Sequence, residues 1–341
     1  MPDRWPTLLD PPTAAGTIRK EPDDFQVEEI PAYLPAGHGS HLFLLVEKKL
    51  RTTDEVIRAL AKQLRIPAGQ IGCAGLKDRL ALTRQWLSVP AAARGRLDSF
   101  RLEGASILET GLHTNKLKTG HLKGNRFCIR IADLEPGDGD EIARRCTIIR
   151  EKGVPNYFGP QRFGRDGRNE IVGRDLLTGE STHHDKRKLR LLLSAVQSGL
   201  FNDLLARRIS IGMFHQALSG DVMIKAETGG RFLCEDPEVD QPRMDAGEIH
   251  PSGPIFGPKM QAAGGEPGDM EREVLNASGL TAAAFTRFPK LTRGTRRSLR
   301  LMPENLKAEP EETSVLLSFT LTSGGYATSV IRELVGSDPD T

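Results

Sequence analysis

The sequence predicts an α+β protein, and three observations carry that expectation. Strand-like apolar alternation recurs near both ends of the chain, at 41–46 and 126–133 and again at 315–321. A long helical repeat and an irregular stretch lie between them. Gly (35) and Pro (22) together make about a sixth of the 341 residues, which demands many turns and argues against a helical bundle. At 38% hydrophobic and 27% charged, the chain can form a packed core, and its length suits one large domain or two ordinary ones.

The elements follow in order. In 18–29 (IRKEPDDFQVEE), Pro22 breaks regular structure, and Phe25 stands alone among charges on an acidic strand, as a core anchor would. HLFLLV (41–46) reads as a buried strand. A helix over 53–64 is capped by Thr53 or Asp54, carries Val56, Ile57, Leu60, Ala61 and Leu64 at helical spacing, and is ended by Pro67. Residues 82–89 are extended, and 126–133 set Phe127, Ile129 and Ile131 on one face. A helix over 139–151 aligns Ile142, Cys146 and Ile149 and stops at Gly153.

A longer helix over 188–209 repeats Leu189, Leu192, Val196, Leu200 and Leu204 at three and four. Residues 227–270, rich in Gly, Pro and acids, read as loop-dominated. Val315, Leu317, Phe319 and Leu321 then alternate as a strand, Ser323-Gly324-Gly325 turns, 326–335 is helical, and GSDPDT is a frayed tail. There is no internal repeat and no low-complexity tract.

Several function classes lack their signatures. No apolar run approaches the roughly 20 residues of a membrane span, and Met1-Pro2-Asp3-Arg4-Trp5 is no signal peptide, so a cytoplasmic protein is expected. Cys73, Cys128, Cys146 and Cys234 are far apart, form no CxxC, and lack a neighbouring histidine, so reduced thiols and no structural zinc are expected. No P-loop, G-x-S-x-G, H-E-x-x-H or complete G-x-G-x-x-G in a βα setting occurs.

The net charge of +2 says little, but its distribution is informative. Residues 111–130 hold five Lys/Arg and two His without an acid, and 287–300 hold six Lys/Arg without an acid. Such stripes suit a polyanion such as nucleic acid, or are simply solvated faces.

Two segments carry more special residues than a fold requires. In GCAGLKDRLALTRQW (72–86), Gly72 and Gly75 allow a tight loop and Asp78 lies between Lys77 and Arg79. Flanking cations favour the ionised carboxylate, which suits a nucleophile or base, although a turn aspartate with ordinary ion pairs fits too. In PNYFGPQRFGRDGR (155–168), aromatic–Gly pairs, Asn156 and three arginines share one loop. Exposed aromatics beside Arg can stack on an unpaired base and clamp phosphate, or Tyr157, Phe158 and Phe163 are core plugs and Asn156 steadies a turn.

In their order along the chain, EPDDFQVEEIP (21–31), GCAGLKDRLALTRQW (72–86), KLKTGHLKGNRFCIR (116–130), PNYFGPQRFG (155–164), LLLSAVQSGLFN (191–202) and GGYATSVIRELV (324–335) resemble the tRNA pseudouridine synthase D (TruD) family. The resemblance spans nearly the whole chain and is weakest over 205–285. It implies isomerisation of a tRNA uridine to pseudouridine, at position 13 in the D-stem, without metal, nucleotide or other cofactor; nothing in the sequence demands more than a monomer.

By the same resemblance Asp78 is the catalytic carboxylate, Phe158 stacks on the flipped base, Asn156 hydrogen-bonds near Asp78, and Phe25 lines the pocket. Arg19 replaces a common family Lys, and Tyr326 replaces a common Phe; with Lys77 they complete the expected substrate-binding set. The basic stretches offer Lys116, Lys118, Arg162, Arg296 and Arg297 to the RNA backbone.

The implied architecture is a pseudouridine synthase catalytic domain (1–177 and 299–341) with a mixed, largely antiparallel sheet, interrupted by an inserted α/β TRUD domain (178–298). The alternative is a non-catalytic RNA-binding or RNA-chaperone protein on the same scaffold, which would not need Asp78 in its GLKDR setting. A methyltransferase would need a Gly-rich cofactor loop that the sequence lacks.

Overall fold

A computed structural model of the chain describes residues 5–336. The expected frayed tail therefore lies, except for Gly336, outside the described residues. In chain order the elements are β1 (Thr17–Ile18), β2 (Phe25–Pro31), β3 (His41–Lys49), α1 (Thr53–Leu64), β4 (Gly72–Cys73), β5 (Leu82–Pro90), β6 (Ala105–His113), β7 (Leu122–Ala132), α2 (Asp138–Lys152), β8 (Val154–Pro155) and α3 (Arg168–Thr178). There follow α4 (Lys186–Ser210), β9 (Val222–Lys225), β10 (Arg231–Leu233), α5 (Pro237–Asp245), β11 (Ile249–Ile255), α6 (Gly265–Ala277), β12 (Thr295–Ser298), β13 (Arg300–Leu301), β14 (Glu304–Pro310), β15 (Val315–Thr322) and α7 (Ala327–Arg332).

The chain divides into two compact units. One comprises Pro12–Thr147, Pro303–Ala327 and Leu334–Thr341; the other comprises Met1–Pro11, Ile148–Met302 and Thr328–Glu333. These limits fall at 147 and 302, whereas the family domains expected from the sequence meet at 177 and 298. A compact unit need not coincide with an insertion.

In the first unit the described residues form a nine-stranded sheet of order β14-β15-β7-β2-β5-β3-β6, with β1 beside β7 and β4 beside β5. Every pairing is antiparallel except β2 with β5, where Gln26 faces Leu82 and Glu28 faces Arg84. The sheet is thus mixed and largely antiparallel, as expected. Helix α1 buries Val56, Leu60 and Leu64 against Leu42, Leu44 and Val46 of β3 and Leu87 and Val89 of β5. Each such side chain contributes about 1.5–3 kcal/mol of burial, so Leu60→Ala alone would cost about 2–5 kcal/mol.

The α1 start lies one residue earlier than the expected cap. Thr52 Oγ1 accepts from the Glu55 amide, and the Glu55 carboxylate accepts from the Thr52 amide at 2.6 Å, closing a capping box. Thr53 is buried and serves the site described below.

In the second unit α4 runs for 25 residues and buries Leu189, Leu192, Val196, Leu200 and Leu204, the stripe expected from spacing. It packs on α3 at Gly173, where a Cβ would come within 2.4 Å of the Leu192 carbonyl oxygen. The region 227–270 is more regular than its composition suggests, and this corrects the loop expectation. Its prolines and acids open an element: the Asp236 side chain accepts from the Glu238 amide at 3.0 Å, and Pro237 begins α5. Strand β11 carries Pro251 and Pro254, yet it pairs with β9 on one side and β12 on the other. No helix among the described residues is long and apolar enough to cross a membrane. Of the four cysteines, Cys146 and Cys234 are buried, and Cys73 and Cys128 are half-buried.

Candidate active site

Alternation along two strands sets polar groups on an apolar face. In β2, Phe25, Val27 and Glu29 are buried; in β3, Leu42, Leu44, Val46 and Lys48 are buried. Glu29 and Lys48 therefore lie under the 74–81 loop that carries Asp78, and sequence reasoning missed both.

The loop is held from beneath by side chains. Lys48 Nζ donates to the main-chain oxygen of Asp78 at 2.6 Å. The Lys77 amide donates to Thr53 Oγ1 at 2.9 Å, Thr53 donates to Gln85 Oε1 at 2.8 Å, and Gln85 Nε2 donates to the Gly75 carbonyl at 3.1 Å. Lys77 Nζ pairs with the Glu29 carboxylate at 3.0 Å, with both side chains withdrawn from solvent (6% and 0% exposed). The other Glu29 oxygen accepts from the Trp86 amide at 3.2 Å. These contacts satisfy groups that would otherwise be costly to bury. Burial pulls the Lys48 ammonium from 10.5 down to about 8, with the Asp78 charge opposing that fall and the Lys77 charge adding to it.

Above this base Asp78 projects outward, its side chain 56% exposed. Arg19 Nη2 stands 3.6 Å from Asp78 Oδ2, and the Arg19 guanidinium lies 4.2 Å above the centre of the Phe25 ring. Arg19 has φ +60°, a left-handed conformation uncommon outside glycine. Phe25 itself is 3% exposed and meets Phe127 edge-on, so the ring is a buried platform for Arg19. Asp78, Arg19, Phe25 and Lys77 are thus brought together by one unit. An exposed carboxylate on an immobilised loop can attack, add to, or deprotonate a bound ligand without the cost of ordering itself first.

Asn156 and Phe158 belong to the other unit and are built with equal care. Asn202, fully buried, accepts from the Phe158 amide at 2.9 Å and donates to its carbonyl at 3.0 Å, fixing that residue as a strand partner would. Phe158 is half-buried and meets Phe201 edge-on, with ring centres 5.4 Å apart. The Arg297 guanidinium lies 4.2 Å above the Phe158 ring and donates through Nη2 to Asn156 Oδ1 at 2.5 Å. Asn156 Nδ2 donates to the Ser298 carbonyl at 2.9 Å. Tyr157 and Phe163 are core residues, 6% and 0% exposed, packed around Trp5.

The expected RNA-backbone residues divide. Lys118 is exposed, while Lys116 is half-buried and donates to the Gly69 carbonyl. Arg162 and Arg297 are half-buried beside the Phe158 ring. Arg296 is a correction: its side chain is 0% exposed, ion-paired with Glu271 at 2.7 Å and bonded to Ser252. Interleaving on β12 turns neighbouring arginines to opposite environments, so a basic run in sequence is not a uniform basic surface. Arg300 is likewise buried, whereas Arg287, Lys290 and Arg293 are exposed. Tyr326 is half-buried.

The tRNA pseudouridine synthase D (TruD) family model matches residues 7–187 and 183–334. The chain is 45% identical over 338 residues to a tRNA pseudouridine synthase D of Anaeromyxobacter dehalogenans, covering 97% of this chain and 96% of that protein. It is 44% identical over 338 residues to one of Thermus thermophilus, covering 98% and 93%. The crystal structure of a protein titled putative tRNA pseudouridine synthase D, from Methanosarcina mazei, superposes with a TM-score of 0.78 at 24% identity over 98% of this chain and 96% of that one, a likeness of fold.

Proposed function

The chain belongs to the tRNA pseudouridine synthase D family, and from that premise we propose that it converts uridine 13 in the D-stem of tRNA to pseudouridine with Asp78 as the catalytic carboxylate. The observation that carries the assignment of Asp78 is its double setting. The carboxylate is exposed while the backbone oxygen of the same residue is pinned by the buried Lys48.

The reaction is an isomerisation. The N1–C1′ bond breaks, the uracil turns, a C5–C1′ bond forms, the C5 proton leaves to water and N1 gains a proton. Addition to uracil C6, attack at C1′ and removal of a sugar proton each require a carboxylate that reaches the nucleotide yet does not wander. The 74–81 loop supplies that. The paired nucleotide must first leave its stack, which costs a few kcal/mol. An aromatic face returns about 1–3 kcal/mol per base, and the family resemblance gives that role to Phe158, with Asn156 and Tyr326 as further substrate contacts.

Arg19 would hold a substrate oxygen or steady Asp78 from its place above Phe25. Lys116, Lys118, Arg162 and Arg297 remain the residues proposed for the RNA backbone, and Arg296 is withdrawn from that set. The proposal extends to a catalytic part at 1–177 and 299–341 with an inserted domain at 178–298, a monomer, cytoplasmic residence, and no cofactor.

The position is tested by incubating an unmodified tRNA transcript with the protein and mapping pseudouridine along it. Modification confined to position 13 is expected. Modification at another uridine would overturn the positional claim, and tight binding without any modification would favour the RNA-chaperone alternative.

A further inference from the structure

Leu76 and Leu80 lie two residues on either side of Asp78 and are 67% and 57% exposed. A single exposed leucine needs no explanation. Two in a five-residue segment around the one outward carboxylate of that segment do, the more so because the segment cannot roll inward. Ala74 and Ala81 are buried at its ends, and Lys77 is fixed inward on Glu29. The side that remains outward is Leu76, Asp78, Arg79 and Leu80. Leu50, 47% exposed, adjoins it, because its carbonyl oxygen accepts from Arg79 Nε at 3.3 Å.

We propose that Leu76 and Leu80 are apolar wedges that enter the RNA stack beside the target uridine and hold open the gap it leaves. This rests on the assignment of Asp78 to uridine chemistry. Two residues of chain span at most about 7 Å, and bases along one strand are spaced about 3.4 Å. A uridine held at the Asp78 carboxylate therefore has an exposed leucine within two residues of chain on each side, in place for the bases that remain beside the gap.

The surrounding charge fits RNA as the occupant, since Arg79, its side chain 56% exposed, lies on the same outward face and can meet phosphates while the leucines meet base faces. Apolar side chains driven between base steps are a general means of unstacking nucleic acid, and Arg79 on Glu55 steadies the loop for that task. The leucines leave the covalent chemistry to Asp78; their role is positional.

The test compares wild type, Leu76→Ala, Leu80→Ala and the double variant on two transcripts. One holds the target uridine in its helical stem. The other carries a change in the opposite strand that leaves the uridine unpaired. Turnover is read as tritium released from uracil C5. The variants should lose about tenfold or more in kcat/KM on the paired transcript and stay within about twofold of wild type on the opened one. Beside the target, 2-aminopurine should brighten on binding of wild type and not of the double variant.

Equal loss on both transcripts, or no loss on either, would overturn the wedge role while leaving the function intact. A wild type inactive on both would overturn the function and the wedge with it. The substitutions remove exposed side chains, so unfolding does not confound the result, and unchanged thermal melting would confirm this.

Discussion

Lys48 Nζ and the main-chain oxygen of Asp78 are joined by a 2.6 Å hydrogen bond beneath the surface. The bond ties the outward carboxylate to the third strand of the large sheet, 30 residues earlier in the chain. Lys48→Met keeps the length of the stem but leaves that carbonyl without its donor, at a cost of about 1–3 kcal/mol. A loop displaced by an ångström should lower kcat by about tenfold to a hundredfold, with KM changed less than about threefold. Steady-state kinetics on tRNA transcript checks the split; a raised KM with unchanged kcat would place Lys48 in binding instead.

The same lysine leaves a mark on stability. Burial lowers its proton affinity from 10.5 in the open chain to about 8 in the fold. Between those values the unfolded chain binds more protons, so stability from this group rises as pH climbs from about 8 to about 10.5. Below about 8 both states are protonated and the folded state bears the cost of a buried charge. Urea unfolding across that range should show a more positive slope for wild type than for Lys48→Met, and parallel slopes would contradict it.

Glu29 and Lys77 form a buried pair, 3.0 Å apart, that holds the loop from the other side. Removing one partner leaves the other charged and unsolvated, so Glu29→Gln or Lys77→Met should each cost about 3–5 kcal/mol. The double variant should cost less than the sum of the two. A double-mutant cycle by urea unfolding gives the coupling, and strict additivity would contradict a buried interaction.

How much of this was legible in the sequence depends on the residue. The strands at 126–133 and 315–321 and the helices at 53–64 and 139–151 follow from periodicity, because each buries one face, whereas the strands at 41–46 and 82–89 and the middle of the helix at 188–209 are buried on more than one side and were legible from their apolar residues. The edge strand Ala105–His113 was not readable, since it exposes Leu108 and lacks a clean apolar face. The helix Gly265–Ala277 was hidden because Gly264, Gly265, Pro267 and Gly268 read as breakers although they form its start.

Glu29 and Lys48 had a signal that composition conceals. Each continues an alternating strand by two residues on the apolar side, so a polar residue at an inward position marked a built network. Asn202 and Arg297 gave no such signal, because their partners Phe158 and Asn156 lie more than 40 residues away in sequence.

The basic run at 287–300 shows the limit of charge counting. Arg296→Ala should cost about 3–5 kcal/mol by stranding buried Glu271, whose carboxyl is raised above its ordinary value first by burial. It should leave the salt dependence of tRNA binding unaltered. Lys118→Ala, at an exposed site, should change stability by less than about 0.5 kcal/mol and reduce the slope of log affinity against log salt by about 1. Binding measured at several salt concentrations separates the two, and a reversed pattern would contradict the assignment.

The most direct measurement is tritium release from a tRNA transcript labelled at uracil C5, made on wild type and Asp78→Asn side by side. Forming the C5–C1′ bond must expel that tritium to water. Release by wild type, with none from Asp78→Asn while that variant still binds tRNA and melts as wild type does, is the expected result. Comparable release from both proteins would remove Asp78 from the chemistry.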